Sequence, residues 1–427
     1  MRRKKLVVIS LDALIAEDLA YLKTKPTFSM LLEGGARVER LKSVYPSLTY
    51  VCHTTMATGC YPDKHGVVNN TAVTLELDPP WLFSHENVKV KDVLDAAKAA
   101  GMTTASVGWP ASGCHASVDY LVNECWPSKG APIEEYKRAY LENGTAPALF
   151  DEVVAPILWM RVGRKQPDSS YFLTGISAEI IRRYQPDLLM LHQGNVDSCR
   201  HRFGVHSEEV KEALDECEEM VLTIIEATKD AGVFEDTDFI ITADHGQLDA
   251  VRELRLNTRF VKEGLIEADE TGRVKKALAW CQPSGMSAEI YLDDPESKAL
   301  WDKVYAVLCE MRDERIGIAE VYTKKEFQAM HLDGDFSFIV EGDRETTFAA
   351  DLFGSTVADF CGGDHGFHPD KGPRPPFIAY GPSIRKGVVL SEGDLIDGAP
   401  TYAKILGVEL PDADGLPFSD LLKGERK

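Results

Sequence analysis

The sequence predicts an α/β fold, a doubly wound and mostly parallel sheet with helices on both faces, on three observations. Short runs that are almost wholly apolar, Leu6–Leu11, Leu188–Leu191 and Phe239–Thr242, have the length and continuity of strands buried on both sides. Amphipathic helical patterns alternate with them, as a β-then-α crossover fold requires. Two longer stretches, roughly 78–170 and 260–350, break this rhythm and read as subdomains inserted into one α/β domain spanning 1–427.

Met1-Arg2-Arg3-Lys4-Lys5 precedes the first run and resembles the basic start of a signal peptide. The apolar run meets Asp12 after six residues, however, too short for a signal core, so a buried first strand is expected. Val90–Ala100 is a helical pattern closed by Gly101, and Thr174–Tyr184 is another that runs up to Pro186. From Ser207 to Ala231, Val210, Leu214, Cys217, Val221 and Ile224 recur at helical spacing, with Ser207 and Gly232 suited to the two caps. The first insertion carries Asp78-Pro79-Pro80-Trp81 and Trp126-Pro127-Ser128, sequences that turn the chain. The second holds a strand-like Ala288–Leu292, a helix around Ser297–Arg312 and an apolar run at Phe336–Val340.

Bulk properties narrow the partners. Hydrophobic residues at 44% and charged residues at 27% are ordinary for a chain with a packed core, and 427 residues suffice for a large one. A formal charge of −21 disfavours a nucleic acid polymer or an anionic membrane as partner. No stretch approaches the roughly 18 apolar residues of a membrane span. Nine scattered cysteines with no CxxC pair lead us to expect reduced thiols and a cytoplasmic protein.

Five clusters carry chemistry. Asp12 follows the first strand, where α/β sheets bind ligands, although a helix-capping or loop aspartate reads the same way. Beyond Leu188–Leu191, Asp197 and His201 stand four apart and reach one ion if the chain turns helically there; a surface loop is the alternative, and His206 faces either substrate or solvent. Phe239–Ala243 leads into Asp244-His245-Gly246, which sets a hard and a borderline ligand side by side at a strand end. Gly362-Gly363-Asp364-His365-Gly366-Phe367-His368 puts a favoured metal residue, His365, among glycines, with Asp364 and His368 as candidate outer partners. After Pro46, Thr49 fits a helix start, either as an ordinary cap or as a hydroxyl beside an anion site, where a metal would lower its pKa. Together these residues supply six ligands, enough for two metal sites with open positions, and point to metal-dependent hydrolysis of phosphate esters.

With those residues in hand, the sequence resembles the alkaline phosphatase superfamily, and within it the type I phosphodiesterase/nucleotide pyrophosphatase branch. The most specific stretch is Tyr45–Asn70, where Pro46, Thr49, His53, Thr58-Gly59, Tyr61-Pro62 and His65-Gly66 recur at the family's spacing. The resemblance implies an alkaline-phosphatase-like fold and two divalent ions, most suitably zinc, with manganese compatible. It assigns Asp12, Asp244, His245 and Thr49 to one ion and Asp197, His201 and His365 to the other. It implies a covalent phospho-threonine at Thr49, with Asn70 and the backbone N–H of Tyr50 on phosphate oxygens and the Tyr50 ring stacked on a base. A small phosphodiester or nucleotide is then the expected substrate. Cys52 departs from the family's Asn before His53, and Trp109–Ser112 matches another substrate-side segment loosely. A phosphomonoesterase or phosphonate hydrolase on the same scaffold stays open, because Arg200 and Arg202 beside His201 can clamp a dianion.

Overall fold

The computed structural model describes residues 4–75, 79–127, 131–161, 163 and 165–424; Met1–Arg3, Asp78 and Ser128 lie outside the described residues. Its centre is an eight-stranded sheet in the order 389–394, 36–42, 377–380, 237–242, 5–11, 188–193, 104–107, 120–122. Strand Lys5–Leu11 pairs in parallel with Leu188–Gln193 on one side and Thr237–Thr242 on the other. Phe377–Tyr380 runs antiparallel to both its neighbours, so the sheet is mostly rather than wholly parallel.

Alternation along the first strand shows why both faces are covered. Val7, Ile9 and Leu11 enter one hydrophobic core with the helices Pro26–Gly34, Asp168–Tyr184 and Glu208–Asp230. Leu6 and Val8 enter a second core with Thr49–Thr58, Val93–Ala99 and Gly398–Leu406. Successive side chains of a strand point to opposite faces, so a continuous apolar run is the signature of this sandwich.

The first expected insertion needs correction. Within it, Thr104–Val107 and Tyr120–Val122 pair in parallel and extend the main sheet, with Val93–Ala99 packed as one of its helices. These strands have four and three residues and include Thr104 and Ser106, so no apolar run announced them. The second region contains a four-stranded antiparallel sheet, in the order Ala279–Ser284, Ser287–Leu292, Phe338–Gly342, Ile318–Thr323, with its own core under helix Lys298–Asp313. No helix among the described residues is long and apolar enough to cross a membrane.

Candidate active site

Three parallel strands deliver their carboxyl ends to one place. Asp12 follows Lys5–Leu11 directly and donates its backbone N–H to the Gln193 carbonyl at 2.9 Å, at the end of the neighbouring strand. Asp244 and His245 come two and three residues after Thr237–Thr242. Beyond Leu188–Gln193 the chain turns into the helix Asn195–Phe203, which carries Asp197 and His201 one turn apart. His365 follows the strand Val357–Asp364 and completes the ring. Thr49 is the first residue of the helix Thr49–Thr58, whose N-cap position is taken by Leu48 without any side-chain cap. A helix start suits an anion, and here its Tyr50 N–H is already bonded to Asn70 Oδ1.

The ligand atoms fall into clusters. Asp12, Asp244 and His245 converge as one, with His245 Nε2 3.1 Å from Asp244 Oδ2, 3.6 Å from Asp12 Oδ1 and 3.3 Å from Thr49 Oγ1. Asp197 Oδ1 lies 3.2 Å from His201 Nε2 and 3.8 Å from His365 Nε2. Asp197 and His365 also converge with His245, whose ring stacks on His365 at 3.9 Å, so His245 stands between the two sets. Asp364 sits 3.8 Å from His201 Nδ1 and accepts from Thr347. His368 turns away toward Tyr45, and His206 is exposed outside the cluster.

These residues fit cations on physical grounds. Asp12 Oδ1 and Asp244 Oδ2 are buried with no hydrogen-bond donor among the described residues. Bare carboxylate oxygens in a dry interior cost several kcal/mol unless positive charge faces them. Burial and then Asp12 push the Asp244 carboxyl well up, and burial and then Asp197 raise Asp12. The histidines are oriented for metal: Nδ1–H of His201 donates to the Gly363 carbonyl at 2.8 Å and that of His365 to the Ser47 carbonyl at 3.1 Å, leaving each Nε2 inward.

A binding linkage follows. Burial alone would lower the His201 pKa, but the charge and hydrogen bond of Asp197 raise it to about 10. Metal takes the neutral ring, so loading near neutral pH should release a proton from His201, and affinity should climb as pH rises toward that value. Zinc titration calorimetry in two buffers of different ionisation enthalpy should give unequal heats; equal heats contradict the assignment.

His192 and Gln247, which the sequence left unremarked, and His53, noted there only within the family's spacing, complete the site. His192, the fifth residue of its strand, reaches Asp12 Oδ2 at 3.0 Å and Glu124 at 3.5 Å. Burial would lower its pKa, and those two carboxylates lift it well above the ordinary value. His53, one turn after Thr49, holds the Thr49 carbonyl at 2.8 Å and Ser10 Oγ at 2.9 Å and faces Asp244 at 3.4 Å. Gln247 donates to Asp197 Oδ1. An i,i+4 step from the nucleophile and a histidine closing an apolar strand were the signals available for His53 and His192.

Three expectations change. Tyr50 borders the cleft, but its ring is 1% exposed, its hydroxyl donates to Glu124 at 2.7 Å, and Trp81 leans over it at 5.4 Å. A base reaches that ring only if Trp81 moves. The Tyr50 N–H is taken by Asn70 Oδ1 at 2.9 Å, which leaves Asn70 Nδ2 as the available donor. Arg200 is fully buried in an ion pair with Asp18 at 2.8 Å and does not reach the cleft, while Arg202 is exposed beside Phe203. Cys52 is a buried thiol against Ser43, pushed well up by burial, and Trp109 is buried with its indole N–H on the His53 carbonyl.

The comparisons agree with this fold. Human ectonucleotide pyrophosphatase/phosphodiesterase family member 1 is 26% identical over 251 residues, covering 56% of this chain and 23% of its own. Human bis(5'-adenosyl)-triphosphatase is 21% identical over 425 residues, covering 95% of this chain and 78% of its own. The chain spans about a quarter of the length of the first of these relatives. Murine ectonucleotide pyrophosphatase/phosphodiesterase 5 superposes with a TM-score of 0.71 at 18% identity, over 98% of this chain and 100% of that one. An inactive variant of the same murine protein, solved in complex with AMP, superposes with a TM-score of 0.70 at 18% identity over 99% of this chain and 100% of that one. The model of the type I phosphodiesterase / nucleotide pyrophosphatase family matches residues 6–368, and the chain belongs to that family.

Proposed function

We propose that this chain is a metal-dependent phosphodiesterase and nucleotide pyrophosphatase whose nucleophile is Thr49. The observation that carries the reading is the position of Thr49: its hydroxyl stands at a helix N-terminus and lies 3.3 Å from His245 Nε2, beside two orphaned carboxylate oxygens. Asp12, Asp244, His245 and Thr49 would hold one divalent ion and Asp197, His201 and His365 the other, with zinc the best match to mixed Asp/His donors and manganese compatible. When bound, the ions lower the pKa of the Thr49 hydroxyl and place positive charge opposite the phosphoryl oxygens. Thr49 Oγ1 then bonds to phosphorus as the bond to the leaving alcohol or phosphate breaks. Water hydrolyses the resulting phospho-threonine ester and restores the hydroxyl. Asn70 Nδ2 donates to a phosphoryl oxygen, oriented by the bond from Tyr50 N–H to its Oδ1.

The cleft supports a diester over a monoester. Its described lining includes Thr49, Glu124, Gln166, His192 and Asp197 but no Lys or Arg, so the extra charge of a phosphate dianion finds no clamp. Half-buried Trp81 and Trp126, rather than Tyr50, offer the aromatic surface for a base. All nine cysteines are unpaired, which supports a reducing compartment such as the cytoplasm. With zinc supplied, bis(p-nitrophenyl) phosphate should be hydrolysed with a higher kcat/KM than p-nitrophenyl phosphate. A marked preference for the monoester would return the reading to a phosphomonoesterase on the same scaffold.

A further inference from the structure

The inserted sheet does more than decorate the core. The turn between its strands Ala279–Ser284 and Ser287–Leu292 lies on the His365 segment: Met286 N–H donates to the His365 carbonyl and Ser287 Oγ to the Gly366 carbonyl, each at 2.7 Å. Gly285 is in the left-handed region at φ +67°, and a Cβ there would stand 2.2 Å from the His365 oxygen. Two glutamates of this sheet, Glu289 and Glu341, are fully buried. Glu341 accepts from the Tyr45 hydroxyl at 2.7 Å and from His368 N–H at 2.9 Å, gripping the approaches to Thr49 and His365.

Glu289 reaches the other side of the site. It accepts from the Tyr291 hydroxyl at 2.6 Å and from Ser284 Oγ at 3.5 Å, and Ser284 Oγ accepts in turn from Asn69 Nδ2 at 3.0 Å. The opposite end of the same amide, Asn69 Oδ1, accepts the backbone N–H of Asn70 at 2.7 Å and of Thr71 at 3.3 Å. Resting on the proposed phosphodiesterase reading, we infer that Glu289 is a positioning residue for Asn70, acting through Ser284 and Asn69.

The physical reason is polarity. An ionised carboxylate only accepts, so it directs the Ser284 proton toward itself and leaves the hydroxyl lone pair for the Asn69 NH2 group. Together with the Pro283 carbonyl, 3.4 Å from Asn69 Nδ2, that choice sets which end of the Asn69 amide faces the backbone, and with it the turn that presents Asn70 to the start of the Thr49 helix. Burial pushes the Glu289 carboxyl up to about 7 against the pull of Tyr291, Asn69 and Ser284, so the acceptor-only form predominates above that pH, where the test below is run. A buried carboxylate is a poor way to stabilise a sheet for its own sake, since an apolar residue of similar size does that without desolvating a charge.

The test is a double-mutant cycle on the zinc-loaded full chain with a bis-aryl phosphate. Asn70→Ala should lower kcat on the order of 10²-fold, as loss of one transition-state donor does. Glu289→Gln and Asn69→Ala should each lower kcat/KM about tenfold, the scale of a sub-ångström misplacement, with zinc content unchanged. Combined with Asn70→Ala, neither should cause a further loss. Losses that persist undiminished in the Asn70→Ala background, or no loss in the native background, overturn the inference. If Glu289→Gln fails to fold, Asn69→Ala and Ser284→Ala carry the same cycle from the other end of the chain of bonds. If the wild type cleaves no diester, the phosphodiesterase reading fails by itself. The cycle is then read by the Kd of inorganic phosphate, where the same pattern supports positioning and additive losses contradict it.

Discussion

Thr49→Ala should lower diester turnover by at least about 10³-fold while the protein keeps its fold and its metal. The side chain is 9% exposed and contributes one oxygen beside His245, and its removal leaves the six Asp and His ligands in place. The helix start loses no cap, because the N-cap position belongs to Leu48 and the first-turn Tyr50 N–H is held by Asn70 Oδ1, not by Thr49. Thermal stability should therefore stay near that of the wild type. Single-turnover kinetics, with zinc content by atomic emission, check both halves of this expectation. Retained turnover would mean that water attacks phosphorus directly.

Asp244→Asn should have the second largest effect, with opposite signs in the metal-loaded and metal-free protein. In the loaded protein it removes a ligand charge, and activity should fall by at least about 10²-fold, beyond what loss of an outer partner causes. Removing metal from the wild type should itself destabilise, by about 4 kcal/mol if the free ion stood roughly 1,000-fold above its Kd. In the metal-free protein the ordering inverts. Burial, and then Asp12, raise the Asp244 pKa well above its unfolded value. A raised carboxyl costs stability at every pH above the unfolded pKa, and the cost fades as pH falls toward it. Metal-free Asp244→Asn should therefore melt above metal-free wild type near neutral pH, with the gap closing on acidification. Melting curves with and without chelator at several pH values read this directly; a variant less stable than wild type without metal contradicts the repulsion between Asp12 and Asp244.

Much of this was legible in the chain. Leu6–Leu11, Leu188–Leu191 and Phe239–Thr242 are apolar because both faces of their strands are covered, and the three aspartates gather because parallel strands end together. The helix between Asp197 and His201, and Thr49 at a helix start, follow from local signals. What escaped depends on distant packing. Thr104–Val107 and Tyr120–Val122 are too short and too polar to show a period. Arg200 beside His201 pointed at phosphate, but adjacent residues on a helix face different directions, and Asp18 takes the guanidinium. Tyr50 follows Thr49 on the same helix, and nothing local shows that Trp81 and Glu124 close over it. Nothing local marks Glu341 as buried, because Tyr45 lies far away in the chain, and the link from Glu289 through Ser284 to Asn69 likewise crosses distant segments.

The central claim is that the metal cluster makes Thr49 the nucleophile. Peptide mass spectrometry of zinc-loaded enzyme, acid-quenched during turnover of bis(p-nitrophenyl) phosphate, tests it most directly. The expected product is a nitrophenyl phosphate ester on the peptide bearing Thr49, absent in Thr49→Ala. Turnover with no adduct at Thr49, or with the adduct on another residue, would contradict it.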